Sequence, residues 1–230
     1  MSLRPQNEIL RSLPKADFAN IAPQLSRVEL KHGTILITPG EPVRDVFFVN
    51  TGVVSIVADL PDGVVETAII GKEGFVGLPA LLRIASTPMR AVVQTPGDAE
   101  RISTKHFHQH AVCGTRLHNA LLRFTHAVIV QMAYTAACNR LHRIHLRCAR
   151  WLLTAHDRAS SDSFPLTQEF LGQMLGIRRP QASECMQQLK RLKAIDYRHG
   201  EVTVVDRKAL EQIACDCYRT TRAAHDALHK

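Results

Sequence analysis

At 230 residues the chain is long enough for two small domains or one large one. Its 45% hydrophobic and 22% charged residues are those of a globular protein with a proper core, which excludes a disordered or low-complexity chain. The formal net charge is +8: residues 1–110 carry 11 Lys+Arg against 11 Asp+Glu and residues 111–230 carry 18 against 10, so the whole excess lies in the second half. This asymmetry points to a neutral module joined to one that meets a polyanion, either nucleic acid or an anionic membrane. The longest apolar stretch, Ala127 to Cys138, is interrupted by Gln131, Tyr134 and Thr135 and is too short to span a bilayer. The opening MSLRPQNEILRSLP has no apolar core of signal-peptide type. No membrane partner is expected, and double-stranded DNA is the expected polyanion. The six cysteines form no C-x-x-C pair and none precedes Cys113, so a disulfide framework is not expected and a reducing cytoplasm fits.

In chain order, residues 6–25 read as short helical turns broken by Pro14 and Pro23. From Val28 short β-rich runs follow: Thr34–Thr38, Val46–Val49, Val53–Ala58, Val64–Ile70, Arg90–Thr95 and Ala99–Ser103. Turn signals separate them at Pro39-Gly40, Asn50-Thr51-Gly52, Pro61-Asp62-Gly63 and Pro96-Gly97, and eight of the 12 glycines fall before residue 110. Many short strands with regular turns predict an antiparallel sandwich or barrel. After residue 112 the period becomes helical, with Leu117, Leu121, Phe124, Val128, Met132 and Ala136 on one stripe. A helix over 115–138 is roughly 36 Å long at about 1.5 Å per residue. Its broad apolar surface predicts a partner helix in a homodimer, with the seam on Leu117, Leu121, Phe124, Val128 and Met132. Asn139 to His156 reads as a second helix, with Leu141, Ile144, Cys148, Trp151 and Leu152 on one side and a basic side of Arg140, Arg143, Arg147 and Arg150.

Leu166–Val205 is the informative segment. Thr167 is an N-cap, Gln168 and Glu169 lie in the first turn, and Phe170, Leu171, Met174 and Leu175 form an apolar face. Gly176 ends this helix as a residue suited to positive φ, and Ile177 follows as a buried pivot. Arg178-Arg179-Pro180 opens a second helix, with Ala182, Met186, Leu189 and Leu192 as its inner stripe. Ile195–Arg198 and Glu201–Val205, joined by His199-Gly200, read as a β-hairpin wing. Two helices closed by a glycine turn make a helix-turn-helix, whose second helix enters the major groove by its N-terminal end. Arg179 suits guanine, Gln181 adenine and Glu184 a cytosine amine. Arg178, Ser183, Lys190 and His199 suit phosphates, with Thr167 and Gln168 beside them at the start of the first helix.

These segments resemble the Crp/Fnr family of bacterial regulators. The resemblance runs from Gly40-Glu41 through Phe47-Phe48-Val49 and Gly52-Val53-Val54, then Glu73-Gly74-Phe75-Val76-Gly77, and then TQEFLGQMLGIRRPQASECMQQLKRL. It implies an α+β protein with an N-terminal antiparallel β-roll of cyclic-nucleotide-binding-domain type over 1–112. A dimerisation helix over 113–138 and a winged helix-turn-helix with a C-terminal helical extension over 139–230 complete it. It further implies effector-controlled binding to palindromic operators and RNA polymerase as a partner. In cyclic-nucleotide-binding members a glutamate after the cassette glycine receives the ribose and an Arg-Ser pair grips the phosphate. Here Gly77 is followed by Leu78-Pro79, and the later region reads Ser86-Thr87-Pro88-Met89 with Arg90 beyond. Losing both contacts argues against cyclic AMP. The effector pocket is placed at Gly77, Leu78, Thr87 and Arg90. In the recognition helix Pro180 and Glu184 depart from the family pattern and Arg179 is retained.

No cofactor is named by the sequence. Absence of cysteine before Cys113 excludes the iron–sulfur cluster of oxygen-sensing relatives. His106, His108 and His110 alternate, and His142 and His145 lie one helical turn apart; they read as surface histidines, and Cys215-x-Cys217 as two small residues on a C-terminal helix, with no metal site assigned. A haem- or thiol-based redox or gas sensor stays open as an alternative, as does a cyclic-nucleotide-binding regulatory module. No nucleophile elbow, Walker loop or H-E-x-x-H motif is present, and no enzyme activity is expected.

Overall fold

The computed structural model describes residues 5–229; residues 1–4, part of the segment inspected for a leader, and Lys230 lie outside the described residues. The fold is α+β, in two compact units: Met1–Ile56 with Ile70–Val128, and Val57–Ile69 with Ile129–Lys230.

In the first unit, helices α1 (Glu8–Ser12) and α2 (Lys15–Ile21) precede strands β1 (Ser26–Leu30) and β2 (Ile35–Ile37). Strand β3 (Asp45–Leu60) follows; its end and β4 (Gly63–Ile70), as far as Ile69, lie in the Val57–Ile69 segment that belongs to the second unit. The first unit resumes with β5 (Phe75–Val76), a short helix α3 (Leu78–Leu81), β6 (Met89–Ser103) and α4 (Thr104–His110). The sheet runs β1-β6-β3-β4, with β2 added to β6 and β5 to β3. β1 and β6 are antiparallel from Ser26 opposite Arg101 to Leu30 opposite Gly97.

β3 and β6 are each one long strand where the glycine signals predict two short ones. The reason is a close backbone approach. A Cβ on Gly97 would stand 2.1 Å from the Thr51 carbonyl oxygen, and one on Gly52, at φ +82°, 2.5 Å from that of Thr95. Asn50-Thr51-Gly52 and Pro96-Gly97 therefore mark where neighbouring strands press together, and the chain does not turn there. The Pro61-Asp62 turn is a true one.

Phe48, Phe75, Phe107 and Phe124 are fully buried, with ring centroids 5.4 Å apart for Phe75–Phe124 and 6.1 Å for Phe48–Phe75. A Cβ on Gly74 would lie 2.1 Å from Phe124 Cζ, so glycine in the Glu73-Gly74-Phe75 motif makes room for the ring. Asn7, also fully buried, donates to the carbonyls of Val49, Lys72 and Gly74 and accepts from Leu10 N–H, tying the N-terminal helices to the sheet.

The long helix α5 (Arg116–Leu141) carries a correction. Leu117, Leu121, Phe124 and Val128 are at most 5% exposed within the single chain, and Met132 is half-buried. Four of the five predicted seam residues therefore close the chain's own core, because the regular apolar stripe is what a nearby sheet of the same chain buries first, and only Met132 stays partly open. Leu122 and Ile129, at 45% and 59%, and Ala136 are exposed on another face, spaced by seven residues.

In the second unit, α6 (Ile144–His156) precedes β7 (Ser163–Pro165), α7 (Gln168–Leu175), α8 (Arg179–Arg191), β8 (Ile195–Arg198), β9 (Glu201–Val204), α9 (Arg207–Ile213) and α10 (Cys217–Asp226). α6 packs on α8, α9 and α10 and buries Cys148, Trp151, Leu152 and Leu153. Trp151 Nε1 donates to Glu66 Oε1 at 2.7 Å, satisfying a polar atom at the buried end of the β3–β4 hairpin. Arg147 and Arg150, read as part of a basic outer side, are 8% and 5% exposed. Arg147 donates to the Leu175 carbonyl, one of the last orphan acceptors of α7, which explains its burial. No helix among the described residues is long and apolar enough to cross a membrane.

Candidate nucleic-acid interface

Local chemistry builds the two-helix motif as its sequence demands. Thr167 Oγ1 accepts from Phe170 N–H at 3.1 Å, capping α7. Gly176 closes it at φ +62°, ψ +43°, and Ile177 N–H returns to the Gly172 carbonyl at 2.9 Å. Gly172 has no room for a side chain, since a Cβ would meet the Ile177 carbonyl oxygen at 2.9 Å. Ile177 is half-buried. α8 begins at Arg179 with Pro180 in its first turn, and the Arg178 N–H donates to Gln181 Oε1 at 3.1 Å.

Ala182, Cys185, Met186 and Leu189 form the buried stripe of α8. Leu192, expected on that stripe, is 53% exposed because the helix ends at Arg191 and the chain turns at Lys193, φ +56°. Arg178, Arg179, Gln181 and Glu184 are exposed and Ser183 is half-buried. The opening turn of α8 thus offers two guanidiniums, one amide and a carboxylate one turn further on. Arg178, Arg179 and Gln181 line an open cleft of about 590 Å³ whose other wall is Leu60 to Val65, the tip of the β3–β4 hairpin.

The wing is a three-stranded sheet, β7-β9-β8. Its His199-Gly200 turn has φ +51° and +79°, the two positive values of a type I′ hairpin. The Gly200 carbonyl accepts from Leu166 N–H at 2.8 Å, which sets the exposed His199 next to the start of α7, where Thr167 is exposed and Gln168 half-buried. Lys190 is held toward the wing: its Nζ lies 2.7 Å from Asp196 Oδ1, and Arg198 Nε lies 2.9 Å from the other oxygen. The Lys190 hydrogen bond, with that of the Tyr197 backbone, keeps the Asp196 carboxyl below the ordinary carboxylate range. Arg198, exposed on the wing, is a basic group that sequence reasoning missed; its place in an alternating strand beside His199 is the signal that could have found it.

In the first unit, Gly77 is the buried N-cap of α3, at φ +132°, and a Cβ there would meet Val46 Cγ2 at 2.8 Å. Leu78 and Pro79 open that helix, whose first turn has no acidic side chain. Thr87 Oγ1 is taken by Met89 N–H at 3.2 Å, and Arg90 is half-buried on β6. The three histidines of α4 do not share one face. His108 bonds the Ala80 carbonyl at 2.8 Å, while burial and then the neighbouring His106 hold His110 below the usual histidine range.

Residues 146–213 match the model of the Crp-like helix-turn-helix domain and residues 27–111 that of the cyclic nucleotide-binding domain. No curated protein matches the sequence. Among solved structures, FixK2 from Bradyrhizobium japonicum is similar at a TM-score of 0.70 and 17% identity, covering 83% of this chain and 98% of that one. A CRP-family transcriptional regulator from Thermus thermophilus gives 0.66 and 20%, covering 81% and 96%. The c-di-GMP-responsive global regulator CLP from Xanthomonas campestris gives 0.62 and 17%, covering 83% and 99%. At these identities the structural likeness is one of fold.

Proposed function

The chain belongs to the Crp/Fnr family of transcription regulators, and from that premise we propose that it binds a palindromic operator as a homodimer, under control of an effector other than cyclic AMP. The observation that carries this is the opening turn of α8, where Arg178, Arg179 and Gln181 are exposed together on a capped, glycine-closed helix-turn-helix. Arg179 reads a base, Arg178 and Lys190 meet phosphates, and His199 contacts the backbone from the wing. Dimerisation is carried by Leu122, Ile129 and Ala136, with the half-buried Thr125 and Met132 between them in heptad spacing. A ligand for the first unit must do without the ribose-binding carboxylate, because Leu78-Pro79 supply only an apolar helix start beside Gly77. Transcription control then follows from DNA occupancy and contact with RNA polymerase, without catalysis.

Footprinting on genomic DNA, with and without cell extract, tests this. The expected result is a protected inverted repeat with half-sites about one helical turn apart. Protection without two-fold symmetry would refute the homodimer, and uniform, sequence-independent binding would refute the operator.

A further inference from the structure

Four side chains that the sequence scatters over two regions converge in the second unit. Cys138 stands in the last turn of α5, His142 in the two-residue link to α6, Cys215 between α9 and α10, and Cys217 at the first position of α10. Cys138 Sγ lies 3.4 Å from Cys215 Sγ, Cys217 Sγ lies 3.6 Å from His142 Nδ1, and the four ligand atoms are all within 4.8 Å of one another. The three thiols are buried and His142 is half-buried.

We propose that Cys138, His142, Cys215 and Cys217 bind one Zn²⁺ ion tetrahedrally, stapling the end of α5 to the C-terminal helical segment. Ligands about 2.3 Å from zinc span edges of about 3.8 Å; the two close pairs, at 3.4 and 3.6 Å, are near that spacing, and the other pairs, none beyond 4.8 Å, need only a small contraction to reach it. Three thiolates and one imidazole form a closed structural set suited to zinc. A multi-iron cluster holds its thiolates on separate metal atoms and needs a wider spread. A Cys138–Cys215 disulfide needs its sulfurs at about 2.05 Å and gives no role to His142 or Cys217. As the Zn–S bonds form, each thiol releases its proton to solvent, three per ion, and the site keeps a net charge of −1. Arg150, 5% exposed and adjacent to Cys138, with no hydrogen-bond partner for its Nε, supplies the balancing cation. The ion would join residues 77 positions apart and fix the α5–α6 link, since α10 and α9 both pack on α6. The sequence assigned no metal here because the spacing fits no contiguous zinc motif; only folding brings the C-x-C pair to the end of α5.

The test uses the full reduced chain and needs no DNA, so its outcome is separate from that of the operator footprint. Zinc is measured by elemental analysis, and Co²⁺ is titrated as the probe. The expected result is one metal per chain, with the visible bands of tetrahedral cobalt and thiolate charge transfer. Cys215→Ser and His142→Ala should each weaken binding at least tenfold, while Cys113→Ser, at an exposed cysteine, should leave it unchanged. A wild-type protein that binds no Co²⁺, or gives the weak spectrum of an octahedral ion, overturns the site without recourse to any variant. So does undiminished binding in Cys215→Ser, or a Cys138–Cys215 disulfide in place of metal, found by mass spectrometry of the protein as purified, before reduction.

Discussion

Arg179 opens α8 with its side chain exposed and unencumbered by the helix cap, which Gln181 serves instead. Arg179→Ala should lose about 1–3 kcal/mol on the cognate operator and relax preference at one base pair per half-site. A base preference unchanged at every position would show that α8 is not the reading helix. Lys190 makes a different demand. In the free protein it neutralises Asp196, and the phosphate contact proposed for it requires that carboxylate to be exchanged for phosphate. Lys190→Ala should weaken cognate and random DNA alike and reduce the magnitude of the salt slope by about one counterion for each phosphate that a subunit no longer neutralises. Loss confined to the cognate site in a salt titration would assign Lys190 to a base. The residue types at these positions were legible from sequence, but Lys190's tie to Asp196 was not, because it spans a helix end and a strand.

α5 shows how an element can be predicted correctly and oriented wrongly. The helix was legible from its 3.6-residue period, whereas its outward face was not, because periodicity reveals an apolar stripe without revealing what covers it. Ile129→Glu should give a monomer by sedimentation with much weaker operator binding; a charged variant that stays dimeric would place the interface elsewhere. Phe124, by contrast, is the ring that Gly74 accommodates. Gly74→Ala should destabilise the first unit by about 1–3 kcal/mol through overpacking, read as a lowered midpoint in urea. An unchanged midpoint would mean that the ring moves aside without strain.

For the molecule as a whole, calorimetry with cyclic AMP should show no micromolar binding and no gain in DNA affinity, since no carboxylate follows Gly77 to receive a ribose. Micromolar binding coupled to tighter DNA binding would restore the nucleotide as effector. The α+β class, the strand-rich front, the long helix and the winged helix-turn-helix can be read from the linear chain, because each is written in local period, caps and turn residues. Thr167, Gly176 and His199-Gly200 are where the local chemistry said they would be. Tertiary structure alone decided the rest. It pressed Gly52 and Gly97 together inside continuous strands, buried Arg147 against the end of α7, and gave the regular stripe of α5 to the chain's own core. It also gathered the side-chain ligand atoms of Cys138, His142, Cys215 and Cys217 within 4.8 Å of one another. Each of these depends on contacts between residues far apart in the chain, which no local periodicity encodes.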